Sequence, residues 1–163
     1  MRAVSNTSPI SNLASIGRLR LLQSQFSEIW IPAAVSQELD AHPDPVALTA
    51  TRGAMDEGWI KQAPMPASRL ADVLSLHLHR GEAETIALAA DLKAEIVIVD
   101  EQEGRKVAVA MGLQVTGVLG ILLRAKRLGE IPALKPEIET LRNKARFFIA
   151  PSLETKLLAA AGE

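Results

Sequence analysis

Three acids crowd the end of one apolar run: Glu95-Ile96-Val97-Ile98-Val99-Asp100 is followed at once by Glu101 and, one residue later, by Glu103. Carboxylates this close repel unless a cation lies among them, and oxygen donors suit a hard ion such as Mg²⁺ or Mn²⁺. Helix capping explains the same residues, with Asp100 at the start of the next helix and Glu101 and Glu103 in its dipole-favoured first turn. A second group stands in "HRGEAETIALA", where Glu82 and Glu84 lie two apart on a helix and so face different ways. At most one of them shares a centre with Asp100. Glu38 follows "IWIPAAVSQ" on a helix leaving another apolar run, where a solvent-exposed side chain is the plainer reading. The last candidate is neutral: "VSNTSP" places Asn6, with hydroxyls at Thr7 and Ser8, where an acid is expected after a strand.

Other chemistries lack their residues. There is no cysteine, so neither disulfides nor thiolate metal sites exist. His42, His77 and His79 lack the i, i+4 spacing of a helical metal pair and read as structural or surface groups. Ser5, Thr7 and Ser8 have no elbow glycines and no placed base, which removes a serine nucleophile. Neither a Walker loop nor a dinucleotide fingerprint occurs.

The elements that must position these residues follow from periodicity. Arg2 to Ser5 and Glu28 to Ile31 read as strands, each leading to a helix: one by apolar spacing after Pro9, the other over Ala33 to Ala41 with Pro32 as its first residue. His42-Pro43-Asp44-Pro45 breaks the chain before a helix over Val46 to Glu57. Trp59 to Lys61 reads as a short edge strand, Pro64-Met65-Pro66 as a loop, 68 to 78 as a helix, and Gly81 opens an Ala-rich helix to about Lys93. Four consecutive β-branched residues, Ile96 to Val99, mean a strand buried on both faces. A helix over 102–111, a strand over Leu113 to Thr116 and a helix over Val118 to Leu128 follow. The tail carries a helix near Leu134 to Asn143, apolar Phe147 to Ile149, and a last helix from Ser152. Alternating strands and helices predict an α/β fold with a parallel sheet, whose ligands collect beyond the carboxyl ends of the strands.

Hydrophobic residues at 48% against 23% charged mark a globular chain, and 163 residues suit a single domain over 1–163. No apolar run approaches the roughly 20 residues that span a membrane, and no signal-peptide pattern opens the chain, so a cytoplasmic protein is expected. The net charge of −1 conceals an asymmetry. Residues 28–103 hold 14 acids against 5 bases, and residues 104–146 hold 9 bases against 3 acids. A cation site beside a phosphate-binding surface gives that division, and so do solvated helix faces of opposite sign.

Taken in order, "VSNTSPISNLA", "IWIPAAVSQEL", "HRGEAETIALA", "IVIVDEQEGRKVA" and "VTGVLGILLRAKRLGEI" resemble the PIN-domain superfamily, in its VapC-like branch known only as a domain of unknown function. The likeness runs from about Val4 to Leu153. It implies a three-layer α/β/α sandwich with a mostly parallel sheet, the helical tail from about 134 packed on it, and a carboxylate cluster binding Mg²⁺ or Mn²⁺ for RNA hydrolysis. Its four site positions fall on Asn6, Glu38, Glu84 and Asp100, the last three catalytic. Thr7, Ser8, Glu82, Glu101 and Arg105 are secondary candidates, and Arg105, Lys106, Arg124, Lys126 and Arg127 would meet phosphates, with Arg142, Lys144 and Arg146 extending the basic surface. The resemblance further implies an RNA substrate, a small antitoxin partner and a homodimer. Asn6 departs from the pattern and removes one charge, which leaves a catalytically weak fold that binds RNA or protein as the competing expectation. The same absence of an acid argues against a phosphotransfer receiver and a haloacid-dehalogenase-like phosphatase.

Overall fold

The computed structural model describes residues 1–64 and 68–163; Met65 and Pro66 of the expected loop lie outside these. Five parallel strands form one sheet in the order β3-β2-β1-β4-β5: β1 (Arg2–Ser5), β2 (Glu28–Ile31), β3 (Ile60–Gln62), β4 (Ile96–Ile98) and β5 (Val115–Thr116). The first strand is central, with Val4 opposite Trp30 of β2 and Val97 of β4. Strand alternation then splits the core. Ala3, Ile29, Ile31 and Ile98 point to one face, where they meet α1 (Thr7–Ser15), α2 (Arg20–Gln25), α8 (Val118–Arg127) and α9 (Lys135–Ala145). Val4, Val97 and Val99 point to the other, against Leu88 and Ala89 of α6 (Arg80–Asp91). The result is the three-layer α/β/α sandwich, with its sheet parallel at every pairing.

The remaining helices are α3 (Ala33–Asp40), α4 (Pro45–Asp56), α5 (Arg69–Leu74), α7 (Gln102–Ala110) and α10 (Pro151–Ala161). In the tail, Leu134, Ile138, Leu141 and Ile149 are buried in the larger core, with Leu157, Leu158 and Ala161 packed against it. No helix among the described residues is long and apolar enough to cross a membrane.

Most ends move by one or two residues from the sequence reading, and three boundaries differ for a physical reason. Helix α1 starts at Thr7, ahead of Pro9, because a proline in the first turn forfeits only an N–H that has no intrahelical partner. Pro32 is the extended N-cap residue of α3 (φ −76°, ψ 166°) and not its first helical residue. The helix expected over 68–78 is helical only from Arg69 to Leu74, Ser68 Oγ accepting the Ala71 N–H at its start.

Candidate active site

The site begins where β1 ends. The Asn6 backbone N–H donates to Ile98 O at 3.0 Å, which ties the carboxyl ends of β1 and β4 together. Asn6 is extended (φ −76°, ψ 174°), so α1 starts immediately and Thr7 and Ser8 fall in its first turn. Their hydroxyls reach in two directions: Ser8 Oγ donates to Glu101 Oε1 at 2.6 Å, and Thr7 Oγ1 donates to Glu38 Oε2. Asn6 Nδ2 donates to the second Glu101 oxygen, Oε2, at 3.2 Å. The other end of that amide, Oδ1, is buried without a partner.

Gly81 closes the arrangement from α6. A Cβ at this position would lie 2.7 Å from Glu38 Oε1 and 3.3 Å from Asn6 Oδ1, so both oxygens converge on the space this glycine leaves, and a side chain there would push the Glu38 carboxylate aside. The next residue, Glu82, is 5% exposed. Its Oε2 accepts the His79 N–H at 3.2 Å, and its Oε1 lies 3.2 Å from where a Cβ of Gly104 would stand. Burial holds the Glu82 carboxyl above the usual range; the charges of Glu101 and Glu38 push the same way, and the His79 N–H opposes them. Asn6, Thr7, Ser8, Glu38, Glu82 and Glu101 together line a cleft of about 310 Å³, with His79 and Arg80 at its mouth.

Glu84 does not line this cleft. It turns to α3, its Oε2 accepting the Ala34 N–H at 3.1 Å and its Oε1 the Arg80 Nε–H at 2.9 Å. Two positions along a helix rotate the side chain by over half a turn, which is why Glu82 and Glu84 part company. Asp100 also stands apart from the cleft. It caps not the helix that follows it but α8, accepting the Val118 N–H at 2.8 Å through Oδ1. Its Oδ2 is buried and unpaired, and burial raises the carboxyl to about 6, with the Val118 N–H pulling down and Glu101 pushing up. Arg105 lies alongside, its Nη1 donating to Val99 O at 3.0 Å. Glu103 pairs with Lys106 on the surface.

The basic candidates divide. Lys126 donates to Pro132 O at 2.7 Å, whereas Arg124 and Arg127 are exposed and have no acid within ion-pair reach among the described residues. His79, read from the sequence as a structural or surface group, and Arg80, not singled out there, both line the cleft, and "HRGE" holds them next to Gly81. The signal that finds them is a glycine directly before a buried acid at a helix start. It marks a close approach that no periodicity argument requires.

The divalent cation that the resemblance implies can be tested against these donors. Among the described residues, no three Asp, Glu or His side chains converge closely enough to enclose an ion as they stand. The donor type does fit: the cleft is lined by carboxylate, amide and hydroxyl oxygens, and Asn6 Oδ1 lacks any donor. The carboxylates rest on Thr7, Ser8 and the Asn6 amide in place of a common centre.

A parallel five-stranded α/β/α sandwich with carboxylates beyond its strand ends is consistent with a PIN-like fold. The family whose description is "PIN domain" matches residues 2–163, and the chain belongs to it. PIN domains are commonly nucleases. Among solved structures, the chain is similar to a PilT N-terminus domain protein from the hyperthermophilic archaeon Sulfolobus solfataricus P2, at 19% identity and a TM-score of 0.52. That likeness covers 77% of this chain and 93% of the other, and it shows the fold. No curated protein matches the chain.

Proposed function

We propose that the protein is a ribonuclease hydrolysing RNA phosphodiester bonds with Mg²⁺ or Mn²⁺. The observation that carries this reading is the single cleft where Glu38, Glu82, Glu101 and the orphaned Asn6 Oδ1 meet. These four residues would hold the cation, which supplies an acidified water and offsets charge developing on the phosphoryl oxygens. Thr7 and Ser8 orient Glu38 and Glu101 by donating to them. Arg80 is 70% exposed at the rim and is placed to meet a phosphate. Glu84 and Asp100 act as positioning residues, holding the starts of α3 and α8.

A toxin role belongs to the same proposal. The small antitoxin would present a basic side chain to the acidic cleft, and a homodimer would be its working form. The competing reading, a fold that binds RNA or protein without cutting, has one specific support: the Asn6 amide ties up a carboxylate with a hydrogen bond where an acid would add charge.

An RNA cleavage assay in Mn²⁺ tests the choice with wild type, Glu38→Gln, Glu101→Gln and Asn6→Asp. Cleavage by wild type that chelation stops, and that either glutamine variant lowers at least about 100-fold, is expected from lost electrostatic stabilisation. Inert wild type with an active Asn6→Asp variant would overturn the ribonuclease reading and support the catalytically weak one.

A further inference from the structure

A second cleft of about 490 Å³ opens on the far side of Asp100, in the size range of about 300–1,000 Å³ typical of small-molecule sites. Leu119 of α8 and Leu153 and Leu157 of α10 wall it, and Phe147 and Phe148 form its outer edge. The chain is directed there by Arg146, which ends α9 in the left-handed conformation (φ 51°). Ile149 then drops into the core at 4% exposed while its neighbour Phe148 stands out at 85%. The fold thus anchors both sides of an aromatic ring and leaves the ring itself in water.

Charge decides what such a ring would meet. Arg105 lines the same groove. Along α8, Arg124 and Arg127 lie four and seven residues beyond Gly120, so they continue its groove-facing side. Neither has an acid partner among the described residues. The acidic cleft is next door, because Asp100 lines one cavity and Glu101 the other, and adjacent residues lie about 3.8 Å apart. One strand of nucleic acid could therefore occupy both. Unpaired bases stack on aromatic side chains irrespective of sequence, and arginines track the phosphates.

We propose that this groove is a nucleobase subsite, in which Phe148 stacks on a base next to the phosphate held in the acidic cleft, with Arg105, Arg124 and Arg127 on the backbone. The proposal rests on the ribonuclease reading and adds to it how single-stranded RNA is gripped.

The test measures, with Mn²⁺ present and at times before cleavage is detectable, binding of a labelled eight-nucleotide single-stranded RNA beside an abasic oligomer of the same length. Phe148→Ala is expected to weaken RNA binding about tenfold or more and to leave abasic binding unchanged. Phe148→Trp should retain RNA affinity and Phe148→Leu should not, since the loss is of a stacking face. Because the ring is exposed, none of these variants removes core packing. Equal RNA binding by wild type and Phe148→Ala, or equal losses on both oligomers, overturns the subsite while the ribonuclease reading stands. Unchanged RNA binding with lost self-association overturns it in favour of a protein interface. Wild type that neither binds nor cuts RNA overturns both.

Discussion

Asp100→Asn should stabilise the protein at alkaline pH and leave it nearly unchanged in acid. The carboxyl is raised from 3.8 to about 6 chiefly by burial. Folded protein then holds the proton more tightly than the unfolded chain, so protonation favours the fold. That advantage is complete below about pH 4 and is lost as pH rises through about 6. A shift of roughly two units corresponds to about 3 kcal/mol at pH 8. Asparagine is of similar shape, keeps an oxygen for the Val118 N–H, and like aspartate leaves one buried polar atom unpaired, so the ionisation penalty is what the exchange removes. Urea unfolding in EDTA between pH 4 and 8 measures it. The variant should gain about 2–3 kcal/mol at pH 8, shrinking to a few tenths near pH 4. A stability difference that does not change with pH would refute the argument, because it would mean that Asp100 is already paired or hydrated.

Gly81→Ala should separate stability from binding. Alanine in a helix gains up to about 1 kcal/mol, but its methyl would displace Glu38 Oε1 and press on buried Asn6 Oδ1. Thermal unfolding is expected to shift little while Mn²⁺ affinity measured calorimetrically drops. Asn6→Asp trades a hydrogen bond to Glu101 for a carboxylate contact, costing about 1–3 kcal/mol in EDTA, and Mn²⁺ should restore the melting temperature. Arg18→Ala should cost about 1–3 kcal/mol at neutral pH by leaving Glu137, 7% exposed, without its two guanidinium hydrogen bonds at 2.6 and 3.1 Å. Guanidinium denaturation measures it.

The layered fold was legible where residue type and burial agree. Glu28 to Ile31 becomes a strand over that span, and the β-branched run from Ile96 is buried on both sides, because such side chains suit a sheet covered by helices. The site was legible only in part. Glu38, Asn6, Thr7 and Ser8 could be placed by their strand ends, but the choice between Glu82 and Glu84 depends on which face α6 turns to β1 and which to α3. Both faces of α6 are buried, with Glu82 and Glu84 alike nearly inaccessible, so hydrophobic periodicity could not orient the helix. The partner of Asp100 was hidden for another reason. A helix N-terminus that needs an acceptor lay eighteen residues onward, outside any local motif.

Placing the chain's earliest strand at the middle of the sheet has a consequence for how the protein is born. Asn6 and Glu101 hydrogen-bond across 95 residues of sequence, and β1 can join β4 only after the intervening segments exist. On a ribosome, the acidic cleft comes together only after residue 101 has left the exit tunnel. An unfinished chain that stops at Ala94 would carry Glu38 and Glu82 without the partners that bring them to one place.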